Sequence, residues 1–247
     1  MWWAASEDLI SGSTYEALRT LAGHRRGRTE ARVSEPVRPV SDEVAAATLL
    51  HLPHHVRVIV ELMTHTGMRP SEACRLTLDR LDRGGEVWVY RPEKHKTAHH
   101  GKARVIPFGP NARGVLTAFL TDRVLAPAEP VFSPRRAREE RFARLRASRK
   151  SKVQPPQVSR KKAQPKRPPA AAYTPRAVAH AVLVAAEKAG VPHWHPYQLR
   201  HSYATKVRKY HGLEAAGAAL GHTRMSATEV YAERDEQLAV SVAAKIG

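Results

Sequence analysis

The chain has 247 residues, 42% of them hydrophobic, and 41 Lys and Arg against 23 Asp and Glu give a formal net charge of +18. That size and apolar share support a folded domain with a real core, and the charge points to a polyanionic partner, nucleic acid first and an anionic membrane surface second. No apolar run is long enough to span a bilayer, Met1–Asp8 lacks the parts of a secretory signal, and Cys74, the only cysteine, excludes an internal disulfide and reads as a small buried hydrophobe in a reducing interior.

Ser13–Leu21 reads as a helix ended by Gly23, and His24–Pro39, with its arginines and prolines, as an extended linker. Ser41 opens a helix through Val44, Ala47 and Leu50 that Pro53 breaks. Val56, Ile59, Val60 and Met63 recur at helical spacing, predicting an amphipathic helix with Gly67 just past its end. Arg69 then stands at the entrance of another helix, with Pro70 suited to its first turn. Side chain and backbone N–H groups at such an entrance can face one anion.

Glu86–Tyr90 and Ala103–Phe108 have strand composition. The basic loop between them carries Lys94, His95, Lys96, His99, His100 and Lys102. Three histidines there, with no carboxylate or cysteine set beside them, fit phosphate contacts or a solvated loop better than a metal site. Pro110–Thr121 reads as a helix. Residues 134–168 hold fourteen Lys and Arg against Glu139 and Glu140, a surplus of twelve positive charges with few apolar residues. That composition predicts a stretch largely disordered when free; it is either a solvated linker or a phosphate-binding segment that includes Lys161 and Lys162.

Thr174 and Pro175 are the N-cap and first residue of a helix running to Gly190. Pro196–Thr205 starts the next, and Leu213–Leu220 forms a short one. Gly221 suits a sharp turn, and Ser226 with Glu229 makes a capping box for a helix that carries Tyr231 about one and a half turns in. Gln237–Ile246 is an apolar terminal helix. The fold class that follows is mainly α with a small antiparallel β-sheet near the N-terminal part.

Four separated pieces thus present cations or hydroxyls at a helix start, a loop or a turn: Arg69, Lys96, Arg200 and the His222–Tyr231 pair. Together, in this order, Thr66-Gly67-Met68-Arg69-Pro70-Ser71-Glu72-Ala73, Lys96-Thr97 with Arg104-Val105-Ile106-Pro107, Leu199-Arg200-His201-Ser202-Tyr203-Ala204-Thr205, and Leu220-Gly221-His222 with Tyr231 resemble the catalytic domain of tyrosine recombinases, the phage integrase family. The resemblance runs from about residue 41 to the end, interrupted by the basic stretch. It implies the DNA breaking-rejoining fold for 41–247, and residues 1–40 resemble the last helix and linker of an N-terminal core-binding domain.

The activity it implies is site-specific recombination of double-stranded DNA, integration or excision, in a homo-oligomer (a tetramer) on DNA, cytoplasmic and nucleoid-associated, without cofactor, metal or membrane. Tyr231 would be the nucleophile that forms a 3′-phosphotyrosyl link, Arg69 and Arg200 the phosphate clamp, His222 a phosphate hydrogen-bond donor and Lys96 the acid for the leaving 5′-oxygen. Lys94 and Lys102 compete with Lys96 for that last role. Glu72 would orient the arginine box. Lys94, His95, His99, His100, Lys102, Arg104, His201, Lys161 and Lys162 are candidate DNA contacts. The family's second box is usually His-x-x-Arg. Here Tyr197 stands three residues before Arg200, and His195 and His201 are the other candidates for proton transfer. A catalytically decayed DNA-binding protein and a topoisomerase-like nicking and rejoining enzyme are the alternatives.

Overall fold

The computed structural model describes residues 1–21, 37–93, 103–155, 165 and 168–221. The chain divides into two units, Met1–Val37 and the chain from Arg38 onward. The first unit holds helices α1 (Trp2–Ser6) and α2 (Gly12–Arg19); the Ser11 side chain caps α2 by accepting from the Thr14 N–H at 3.1 Å. Helix α1 has no counterpart among the elements expected from sequence.

The second unit is built around α4 (His54–Thr66). Its expected apolar face, Val56, Ile59, Val60 and Met63, is buried, and so are Val58 and Leu62. The helix is therefore enclosed on more sides than amphipathic spacing alone implies. It packs against α5 (Pro70–Cys74), strand β3 (Ile106–Phe108), α6 (Pro110–Leu120) and α9 (Gln198–Leu220). Each fully buried aliphatic side chain contributes about 1.5–3 kcal/mol, so α4 is the main source of core energy. Helix α3 (Asp42–Leu49) starts where expected, with Ser41 as N-cap, and packs on α8 (Pro175–Ala189). Trp194, wholly inside, donates its Nε1–H to Thr48 on α3 at 3.0 Å. Cys74 is buried too, and burial raises its thiol pKa to about 12, so it stays an inert apolar filler.

The sheet has three antiparallel strands in the order β1 (Leu81–Asp82), β2 (Trp88–Tyr90), β3. Tyr90 pairs with Ile106, and Trp88 with Phe108. Pro107 lacks an N–H for a ladder, which suits β3 to its place at the sheet edge. The two-residue β1 is too short to show a period in sequence.

One expectation needs correction. Residues 134–147 are not irregular: they form helix α7 (Pro134–Ala147). Composition missed the anchors. Glu140 takes the Arg123 guanidinium on two oxygens, at 3.1 and 2.9 Å, and faces His55 Nε2 at 3.2 Å. Arg136 donates to the carbonyls of Pro130 and Val131. These two anchors, Arg136 and Glu140, lie about one turn apart and seat the first half of the helix, while Arg141 to Ala147 stay exposed.

Three helix ends turn on a left-handed glycine: Gly67 (φ 62°) after α4, Gly190 (φ 66°) after α8 and Gly221 (φ 64°) after α9. Gly212 (φ 85°, ψ 174°) kinks α9, separating the two helical stretches read from sequence. A Cβ at Gly67 would overlap the Tyr203 ring, whereas one at Gly190 would meet nothing. Gly190→Ala is therefore expected to cost about 1 kcal/mol, the left-handed penalty alone, and Gly67→Ala clearly more, because the ring must also move. Urea unfolding of both variants checks this; equal losses would refute the close approach of Tyr203.

Candidate active site

The site begins at the α4–α5 corner. Pro70 occupies the first turn of α5 and Arg69 is its N-cap. Glu72 folds back on that end. Its Oε2 accepts from the Arg69 backbone N–H at 2.7 Å, and its Oε1 accepts from Arg69 Nη1 at 2.8 Å and Arg104 Nε at 3.4 Å. Glu72 is 1% exposed. Burial acts to raise its pKa, but the Arg104 guanidinium and then the backbone and side chain of Arg69 outweigh that and hold it below the ordinary carboxylate range. The Tyr90 hydroxyl donates to the Glu72 carbonyl at 3.3 Å, tying the corner to β2.

Arg104 lies two residues before β3 and is buried. Its Nη1 donates to the Val105 carbonyl at 3.1 Å, and its guanidinium rests against Gly221, where a Cβ would overlap it. Its Nη2 is buried with no hydrogen-bond partner among the described residues. Arg200, the third residue of α9, is fully buried. It donates Nη1 to the Gly67 carbonyl and Nη2 to the Leu220 carbonyl, both at 2.7 Å. These acceptors sit at the C-terminal ends of α4 and α9, where helix carbonyls lack intrahelical partners and carry partial negative charge. Burial, then repulsion from Arg69 and Arg104, lowers the Arg200 pKa to about 10, so it remains a cation at neutral pH.

Among the described residues three guanidiniums thus gather near one carboxylate: Arg69 and Arg104 pair with Glu72, and Arg200 lies near enough to feel the charge of all three. Forked N–H donors match a phosphate or carboxylate edge. The arrangement is suited to bind an anion with several acceptor oxygens. Arg69, 17% exposed, is the guanidinium of the three that reaches the surface most.

Of the candidate residues, Arg69, Glu72 and Arg200 come together as expected. Arg104 and His201, expected as DNA contacts, are both buried. Arg104 is inside, paired with Glu72, and strand alternation carried the signal: it shares its face with Ile106 and Phe108, both buried. His201 is also buried, edge-on to Tyr197 at 5.8 Å between ring centroids, because both sides of the α9 start are covered. Tyr197 is half-buried at the first turn of α9, near enough to Arg200 for its phenol to favour the cation. His195 is exposed against His193. Lys94, His95, Lys96, His99, His100, Lys102, Lys161, Lys162, His222 and Tyr231 lie outside the described residues, as do the helices expected from Ser226 and Gln237. Among the described residues no three His, Cys, Asp or Glu side chains converge on a common point, and no helix is long and apolar enough to cross a membrane.

Two contacts were not foreseen. Ser202 on α9 exchanges hydrogen bonds with both backbone groups of Val40, and Tyr203 packs on Gly67. Both fix the α9 segment that carries Arg200. Glu72→Gln should destabilise the protein by on the order of 3 kcal/mol at neutral pH, since two buried cations lose their counter-charge. The native carboxyl is depressed, so its contribution is present above the ordinary glutamate range and fades as pH falls through the native value. Urea unfolding from about pH 7 to pH 3 should show the gap between wild type and Glu72→Gln closing below about pH 4; a constant gap would contradict the charge network.

The family model for the phage integrase family matches residues 44–237. The chain is 32% identical over 183 residues to the tyrosine recombinase XerC of Pseudomonas putida KT2440, covering 73% of this chain and 48% of that protein. It is 27% identical over 233 residues to XerC of Mycobacterium tuberculosis H37Ra, covering 93% and 66%. The chain spans about half the length of the Pseudomonas relatives it matches. Among solved structures it resembles the Tn1549 transposon integrase in complex with circular intermediate DNA (TM-score 0.61, 14% identity, 99% of this chain and 84% of that one). It also resembles a lambda integrase dimer bound to a COC′ core site (TM-score 0.58, 16% identity, 93% and 68%). These likenesses agree with a mainly helical domain carrying a three-stranded antiparallel sheet, and the chain belongs to the phage integrase family.

Proposed function

We propose that this protein cleaves and rejoins double-stranded DNA in site-specific recombination, integration or excision, through a covalent 3′-phosphotyrosyl intermediate on Tyr231. The observation that carries the reading is the guanidinium cluster that Arg69, Arg104 and Arg200 form around Glu72. In the displacement, the Tyr231 oxygen forms a bond to phosphorus and the bond to the 5′-oxygen breaks. Negative charge grows on the non-bridging oxygens, and preorganised donors in a water-poor site stabilise it most effectively. The phenol must lose its proton and the 5′-oxygen must gain one. Lys96 would supply the second; Tyr197, or His195 or His201 in its stead, would take part in the first. The ester energy stays in the phosphotyrosyl bond, so the reverse attack by a 5′-hydroxyl reseals the strand without a cofactor.

His222 would add a hydrogen bond to the same phosphate. The basic loop from Lys94 to Lys102, and the positive stretch with Lys161 and Lys162, would hold the flanking backbone electrostatically. Residues 1–40 would be the remnant of an N-terminal core-binding domain and its linker, preceding the catalytic domain of residues 41–247. Strand exchange needs four active sites on two duplexes, hence a homotetramer on DNA, in the compartment that holds the DNA. The solved relatives bound to a transposon circle and to a phage core site support a DNA substrate of this kind.

A nicked suicide duplex tests the reading, with single-turnover cleavage followed as an SDS-resistant protein–DNA adduct. Arg69→Ala should slow it by about 10²–10³-fold, the usual loss for one transition-state donor. Arg200→Lys should recover little, because an ammonium cannot reproduce the fork that also holds the two helix-end carbonyls. Rates within a few-fold of wild type in both variants would remove the phosphate-clamp role.

Lys96→Ala should be rescued by a 5′-bridging phosphorothiolate, whose thiolate leaves without needing a proton. Rescue of Lys94→Ala or Lys102→Ala instead would move the acid role to that lysine.

A further inference from the structure

Arg104 touches both halves of the site. Its Nε pairs with the Glu72 carboxylate that holds Arg69, and its guanidinium packs on Gly221, the turn from which the chain continues into His222. Its backbone is fixed by β3, whose Ile106 and Phe108 are buried and whose partner β2 carries the Tyr90 hydroxyl bonded to Glu72. We propose that Arg104 is a positioning residue for strand cleavage: held between Glu72 and Gly221, it sets the spacing between Arg69 and the Gly221 turn that ends α9. This rests on the strand-cleavage reading and adds a residue to it.

Three features of the side chain suit the role. It is 5% exposed and encased, so it cannot shift to another pose without opening the cluster. It binds Glu72 through Nε, which leaves the flat face and the Nη end to meet Gly221; a lysine has no such second surface. Gly221 itself is in the left-handed region, and the absence of a Cβ is what lets the guanidinium approach. Glu72 then relays the constraint, because the same Oε1 that meets Arg104 also accepts from Arg69. The groups facing that carboxylate are Arg69 of α5, Arg104 beside β3 and, by charge, Arg200 of α9.

The test uses the full chain as wild type, Arg104→Met, Arg104→Lys, Glu72→Gln and the Glu72→Gln/Arg104→Met double variant. Single-turnover adduct formation at saturating protein and duplex affinity are measured across pH, with thermal unfolding alongside. Arg104→Met should cleave on the order of tenfold to a hundredfold more slowly, the usual cost of a misplaced reacting group, while duplex affinity stays within a few-fold. Arg104→Lys should fall between the two, since it keeps a charge beside Glu72. The acid limb of the Arg104→Met rate profile should move to higher pH, because Glu72 loses the cation that most lowers its pKa. In the Glu72→Gln background the Arg104→Met step should change the rate little.

Should Arg104→Met not fold, Arg104→Lys decides: an intermediate rate with unchanged affinity supports the proposal, and a wild-type rate overturns it. Wild-type rates in Arg104→Met, or a loss of affinity matching the loss of rate with an unmoved acid limb, also overturn it. A wild-type chain that forms no adduct refutes the strand-cleavage reading instead. The role of Arg104 is then read from thermal stabilisation by tungstate, a tetrahedral oxyanion, which should be present in wild type, reduced in Arg104→Lys and lost in Arg104→Met. Equal stabilisation in wild type and Arg104→Met overturns the proposal.

Discussion

The Glu72 carboxylate is the interaction on which the site depends. It gathers Arg69 and Arg104 on one oxygen and stands near Arg200, so groups that would repel one another share a counter-charge. At neutral pH the glutamate, held below its ordinary range, is ionised, and Arg200, lowered to about 10, keeps its proton. Most of the core is joined by apolar packing, which tolerates small shifts. Here the registry of α5 and β3 is set by directed hydrogen bonds between charges, which tolerate few. The gathering of three forked donors in one place is the chemical basis for an anionic ligand.

Helix ends supply the other half of the frame. Arg200 links the carbonyls at the ends of α4 and α9, and both ends turn on left-handed glycines. The glycines free the carbonyls to point at one guanidinium, and the guanidinium satisfies acceptors that would otherwise be buried unpaired. Arg200 therefore holds the fold and the site together, which places its charge with little freedom. Tyr203 on Gly67 and Ser202 on Val40 press the same segment of α9 from neighbouring directions. A site preorganised in this way need not rearrange as charge develops on a bound phosphate.

Much of this was legible in the residues themselves. Ser41, Thr174, Pro70, Gly67 and Gly190 mark helix ends by local chemistry, and the structure has Pro70 as the first residue of α5 and the other four as caps. The strand pair flanking the basic loop was visible in β-branched and aromatic composition. What local pattern could not supply was tertiary company. Helix α7 reads as a charged, unfoldable run until Arg123 and His55 are known to meet Glu140. The burial of His201 comes from Leu199 to Ser202 being buried in succession, which no single helical face predicts. Arg104 is a different lesson: its parity with Ile106 and Phe108 was readable, and a positive charge among apolar strand residues was the sign of a buried partner. The four boxes were recognised as a set because their order and spacing survive, although Tyr197 replaces the usual histidine.

The central claim is that the guanidinium cluster presents a DNA phosphate to Tyr231. The most direct measurement is mass-spectrometric mapping of the residue that carries DNA after reaction of the full chain with a nicked suicide duplex, at protein concentrations well above the dissociation constant. The account predicts a single modified peptide, linked through Tyr231 to a 3′-phosphate. DNA attached at another residue, or duplex that is bound to saturation yet remains uncleaved, would contradict it.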